Sequence, residues 1–144
     1  MAKLADLNLK AQNNQSHEFE YIDPNDEPTG IFFSVIGGHS DKIVRLASEQ
    51  RDKQLLTESM AAKKGKDVPI ETTEKQLANR AKLNAARLVG WRGIDEPFTD
   101  ENALLLVSNN AHISEAIARE SEDMRNFTKA NSAILSSSPS LNLN

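Results

Sequence analysis

The chain predicts an α+β fold, mostly α, with an N-terminal β-hairpin followed by about four helices and flexible ends. Three observations carry this reading. Two runs rich in aromatic and β-branched residues, at 17–22 and 31–38, flank a connector dense in turn formers. Helical periodicity with capping residues then fills most of 40–129. Both ends are polar, and the last fourteen residues hold five serines and no charge. The expected organisation is a flexible arm over 1–16, one α+β domain over 17–130 (hairpin 17–38, helices 40–129) and a Ser/Asn-rich tail over 131–144.

Each element has a local cause. The arm ends in a Gln/Asn run, with a short ordered piece expected around Leu4 to Leu9. In HEFEYI, Phe19 and Tyr21 alternate with Glu18 and Glu20, as in a half-buried strand. DPNDEPTG turns the chain, IFFSVI runs back, and Gly37 and Gly38 stop it. A two-stranded hairpin is marginal alone and must pack on the helices after it. Ser40 is positioned to cap a helix running to about Lys63, with Ile43, Leu46, Ala47 and Gln50 on one face. KKGKDVP breaks that helix. A second begins at Thr73, whose spacing to Gln76 matches a capping box, and ends near Gly90 with Trp91 at its exit. Its inner face reads Leu77, Ala81, Ala85, Leu88. Thr99 caps a short helix to about Ser108, and Asn109 and Asn110 interrupt it. A last helix runs from about Ala111 to Lys129 with Ile113, Ile117, Met124 and Phe127 inward. The core is expected to form by helix packing around Trp91, Phe98, Phe127 and the leucines.

Composition removes whole classes of function. At 144 residues one core can form unaided, and with no cysteine there are no disulfides or thiolate chemistry. No apolar run approaches the roughly 20 residues of a membrane span, so a soluble, intracellular protein is expected. The net charge of −4 is segregated: −4 over 1–40, +5 over 41–92 and −5 over 93–144. The basic centre either binds nucleic acid or pairs with its own acidic flanks. Alternation of basic and acidic residues along the helices favours internal pairing. A pI near 5.4 and 5% aromatic residues argue the same way against a nucleic-acid binder.

A search for chemistry finds none. His17, His39 and His112 lie far apart with no i, i+4 partner, so neither metal nor catalytic residues are assigned. GGHSDK succeeds a strand and opens a helix, as anion loops do, but lacks the Gly-Lys-Ser/Thr ending of a phosphate loop. The carboxylate pairs Asp95–Glu96, Asp100–Glu101 and Glu122–Asp123 fall at a turn, a first helical turn and a helix face. Such acids serve solvation and the helix dipole unless a pocket separates their pKa values. No enzyme activity and no cofactor is expected.

One stretch carries a resemblance. GWRGIDEPFTDENALLLVSNNAHISEAIARESEDMRNF combines a tryptophan after a helix, Pro97-Phe98-Thr99, Glu101-Asn102, a leucine cluster and a terminal Asn126-Phe127. Upstream, DPNDEPTGIFFSVIGGHSDKI joins a turn, a strand and a Ser-Asp helix start. Together they resemble the tail assembly chaperones of long-tailed (siphovirus-type) bacteriophages, over roughly residues 19–127. The resemblance implies a non-enzymatic protein that binds the phage tape measure protein and keeps it soluble while tail tube subunits polymerise around it. It implies the host cytoplasm as location and absence from the mature virion. It also implies contact with the tail tube protein, a longer frameshifted form of the chain as a further partner, and homo-oligomers. Trp91, Phe98, Leu105 and Leu106 are the candidate contacts, with Arg80, Arg87 and Arg92 as a steering basic face. The alternative is a virion structural subunit of tail or connector, followed by a nucleic-acid binder.

Overall fold

The computed structural model describes residues 3–67 and 72–128. A 3-10 turn (Leu4–Leu7) and a short helix α1 (Leu9–Asn13) precede strands β1 (Ser16–Ile22) and β2 (Pro28–Ile36). Helices α2 (Asp41–Lys63) and α3 (Thr73–Arg87) come next, then strand β3 (Leu88–Arg92). Helices α4 (Asp100–Asn109) and α5 (Ala111–Glu122) lead to a closing 3-10 turn (Met124–Phe127). This is an α+β, mostly helical fold opening on a β-hairpin. The tail expected at 131–144 lies outside the described residues.

The hairpin closes through Asp23. Its carboxylate accepts from the N–H groups of Asn25 and Glu27, both at 2.9 Å. Asp26 takes a φ of 61°, a left-handed conformation that aspartate tolerates better than most residues. β1 and β2 then pair antiparallel with Phe19 opposite Phe33, and a bulge falls between Glu20 and Ile22.

The sheet has a third strand where the helical spacing predicts a helix end. α3 stops at Arg87 instead of near Gly90, because Leu88 turns to an extended ψ of 136°. Leu88–Arg92 pairs antiparallel with the free edge of β2, giving the order β1-β2-β3. Leu88 continues the helical spacing of Leu77, Ala81 and Ala85, which disguises the change. Val89 and Trp91 are strand formers, and the open edge of β2 supplies the backbone partners that decide between the two.

The core lies between this sheet and α4–α5. Phe33, Val35 and Ile117 are wholly buried, joined by Leu88, Ala103, Val107, Ala116 and Phe127. Burying each large side chain contributes about 1.5–3 kcal/mol. The expected centre around Trp91, Phe98 and Phe127 is thus corrected. Only Phe127 is buried, while Trp91 and Phe98 pack half-exposed on the rim of the cluster. α5 ends at Glu122, short of Lys129. Asp123 leaves helical geometry and accepts from the Arg125 N–H at 3.1 Å. The closing turn brings Phe127 edge-on to His17, with ring centroids 5.9 Å apart.

Two caps differ from expectation. Thr72, not Thr73, caps α3, its hydroxyl accepting from the Lys75 N–H at 3.1 Å. Ser40 occupies the position before α2, but its buried hydroxyl has no hydrogen-bond partner among the described residues. Thr99 caps α4 as expected, accepting from the Asn102 N–H at 3.0 Å.

α2 packs mainly along α3 and the contact is largely polar, with the Gln50 amide donating to the Asn79 carbonyl at 3.0 Å. On the expected face Ile43 is buried, Leu46 and Gln50 are half-buried and Ala47 is exposed. On α3 the buried side chains are the polar Asn84 and Arg87, whereas Leu77 is 58% exposed.

Candidate functional site

The seven residues singled out in the sequence separate into four places. Trp91 stands opposite Phe33 in the β2–β3 register, which directs its ring to the core side of the sheet. There it meets Phe33 edge-on, with centroids 6.5 Å apart, and Phe98 at 5.1 Å in a T-shaped contact. The indole N–H donates to the Glu96 carbonyl at 2.9 Å, so the connector 93–99 is folded back over the ring. Gly93 permits that fold with a φ of 88°, and a Cβ there would strike the Gly30 carbonyl oxygen.

α4 completes the site. Thr99 and the Asn102 amide, which donates to the Pro97 carbonyl at 2.9 Å, fix its first turn against the connector. One helical face then presents Leu105, Leu106 and Asn109 across from Trp91 and Ile94, enclosing a cleft of about 280 Å³. Leu105 is 62% exposed and Leu104, its neighbour, is also exposed. The structure thus brings Trp91, Leu105 and Leu106 into one apolar cleft, with Phe98 packed against the tryptophan.

The three arginines do not form a face. Arg80 is exposed on α3, at a groove of about 690 Å³ whose other wall comes from α4 and α5. Arg87 is buried. Its Nη1 lies 2.7 Å from Glu122 and donates to the Ser121 hydroxyl at 2.9 Å, while its Nε donates to Asn84 at 3.1 Å. Ser121 donates in turn to the Ile36 carbonyl at 2.7 Å. This network ties α3 to α5 and to the end of β2. Arg92 pairs opposite Phe32, on the other face of the sheet from Trp91. Its guanidinium lies 3.8 Å from the Phe32 ring centroid and donates two hydrogen bonds to Glu18. These bonds hold the Glu18 carboxyl below its ordinary pKa. The basic centre is therefore partly spent on the acidic flanks.

The glycine loop does not offer its amides to an anion. The N–H groups of Gly37 and His39 donate to Asn13, that of Gly38 to the Ser121 carbonyl, and that of Asp41 to Asn14. Side chains from the expected arm fill the loop, and Asn13 is buried. The histidines stay apart: His17 Nε2 is 3.5 Å from Glu120, His112 Nδ1 shares a 2.7 Å hydrogen bond with the Tyr21 hydroxyl, and His39 is exposed. Among the described residues no group of three or more His, Cys, Asp or Glu is placed to hold a metal ion. None of their helices is long and apolar enough to cross a membrane.

A family model described as phage tail assembly chaperone matches residues 1–136. The chain belongs to this family. Searches of curated proteins and of solved structures found no match. For a tail assembly chaperone the exposed apolar surface is the informative feature, and part of it lies outside the contacts that the sequence suggests. Leu55, Leu56 and Met60 on α2 and Leu77 on α3 are 48–62% exposed. A signal is present: once Gln50 and Gln54 take the inner side of α2, the leucines beside them must face elsewhere.

Proposed function

We propose that the chain binds the phage tape measure protein and keeps it soluble while tail tube subunits assemble around it, without catalysing a reaction. Family membership supports the class of function, and the apolar cleft of Trp91, Leu105 and Leu106 supports the mode. A long helical protein exposes apolar stripes until the tube covers it, and such stripes aggregate. A cleft bordered by an exposed helix can receive one side chain of such a stripe, and several copies of the chain can cover its length. The half-exposed polar rim suits a contact that must be released as the tube grows. On this reading the chain works in the host cytoplasm and is absent from the mature virion.

Co-expression with the tape measure protein encoded beside it tests the reading. The expected result is transfer of the tape measure protein from the pellet to a soluble complex that co-purifies with this chain. Replacing Leu105 by serine should lower the soluble yield, with the far-UV circular dichroism unchanged. A tape measure protein that stays insoluble, together with the chain present in purified particles, would overturn the proposal in favour of a structural subunit.

A further inference from the structure

We propose that the Trp91 cleft selects a cationic amphipathic helix: a large apolar side chain seated between Trp91 and Leu105, with Lys or Arg one turn away on either side. The inference rests on the chaperone reading and specifies the chemistry of the segment bound.

Two independent observations give the sign. The first is charge. Glu96 lines the cleft, Asp95 precedes it, and Glu101 stands one helical turn before Leu105 on α4. All three are exposed, and among the described residues no Lys, Arg or His lies within ion-pair distance of them. Of the other acids of the C-terminal third, Glu120 pairs with His17, Glu122 with Arg87 and Asp123 with Arg125, while Asp100 and Glu115 have no ion pair among the described residues and do not line the cleft. The second is hydrogen-bond polarity. The Asn102 amide donates to the Pro97 carbonyl and the Asn110 amide to the Leu106 carbonyl at 2.8 Å. Each amide thereby commits one of its two N–H groups within the protein and keeps its carbonyl oxygen as an acceptor, so with the three carboxylates acceptors outnumber free donors around the cleft. Carboxylates and amide oxygens accept hydrogen bonds, so the rim matches a ligand rich in donors.

The size of the cleft fixes the rest. About 280 Å³ holds a large side chain and not a whole helix, so the ligand helix lies across the rim with one residue inserted. Residues three and four positions away on that helix then come over Glu96 and Glu101. The steering charge is thus on the chaperone's acids and on the partner's bases. That reverses the arrangement expected from Arg80, Arg87 and Arg92.

Trp91 is the only tryptophan in the chain, so its emission reports on the cleft alone. The full chain is titrated with two amphipathic helical peptides that share one leucine stripe, one carrying lysines and the other glutamates beside it. Two or three rim ion pairs should make the lysine peptide bind about tenfold tighter. The preference should shrink with added salt and reverse in the double variant Glu96→Lys/Glu101→Lys. The milder Glu96→Gln/Glu101→Gln should abolish it, with the far-UV circular dichroism of both variants unchanged.

Equal binding of the two peptides overturns the inference, as does binding that leaves the Trp91 emission unchanged. So does an emission change that tracks the concentration of the chain alone, which would make the cleft a contact between copies. Co-expression separates the two levels. If the charge-reversed variant solubilises the tape measure protein as well as the native chain, the cleft chemistry is wrong and the chaperone reading stands. If the native chain does not solubilise it, the chaperone reading fails whatever the peptides show.

Discussion

The sheet with α4 and α5 and the α2–α3 hairpin use their apolar residues in opposite ways. In the first region Phe33, Val35 and Ile117 lose all contact with water. In the second, α2 is 23 residues long and buries only Ile43 and Ala61, while Leu55, Leu56 and Met60 face outward. Stability is therefore concentrated in the sheet, α4 and α5, on which α3 packs through Ala81 and Ala85, whereas α2 is held to α3 by polar contacts such as Gln50 to Asn79. A chain with the proposed role of covering another protein's apolar surface needs such exposed groups. It can keep them only where another region supplies the folding free energy.

The comparison can be broken most directly at Phe33. It touches Phe19, Tyr21 and Trp91, so Phe33→Ala should cost about 3–5 kcal/mol, read as a lowered urea midpoint. A loss under about 1 kcal/mol would show that the sheet is not the stable half. Arg87→Ala comes next, at about 2–4 kcal/mol, because it leaves Asn84 and Ser121 buried without their donor. The same measurement decides whether Arg87 acts in folding or only at a surface. Gly37→Ala should cost about 1–3 kcal/mol, since a Cβ there would overlap the buried Asn13 side chain.

A pH titration sharpens the same contrast. Burial, aided by the nearby charge of Asp23, pushes the Tyr21 phenol above its ordinary value of 10.0. The unfolded phenol ionises first, so this contribution to stability is complete below pH 10.0 and is lost as pH rises through the native value. Tyr21 is the only tyrosine, so phenolate absorbance should titrate later in the native chain than in the denatured one. Coincident curves would mean that the Tyr21–His112 contact is open to solvent. The smallest effect belongs to the α2–α3 hairpin. Leu55→Ser with Leu56→Ser should change stability by less than about 0.5 kcal/mol. A large drop in melting temperature would instead make α2 part of the core.

Much of this fold is legible in local chemistry. The turn between the first strands needs Asp23 and a left-handed position, both present in DPNDEPTG. Thr99 announces α4, and the spacing of Ile113 and Ile117 announces the buried face of α5. The apolar cleft is half-legible: Trp91, Leu105 and Leu106 stand out in the sequence, but nothing in it shows that they meet. Its acidic rim is not legible, because Glu96 and Glu101 look like ordinary turn and helix-start residues. Only their place beside the apolar cleft in three dimensions, with no cation paired to them, marks them.

By itself the sequence determined the elements whose signals are local: the turn, the Thr99 cap, the periodic face of α5 and the absence of thiol chemistry. The tertiary structure decided three things. It made Leu88–Arg92 a strand, because pairing with the edge of β2 outweighs a helical spacing. It buried Arg87, because Ser121, Glu122 and Asn84 converge on it from two helices. It left the α2 leucines in water, because Ala81 and Ala85 of α3 pack towards the core cluster, and the side of α3 beside α2 carries Gln76, Asn79 and Arg80. In each case the deciding partner lies about 30 or more residues away, or on another element. Local propensity carries no information about which distant groups will satisfy a backbone or a charge.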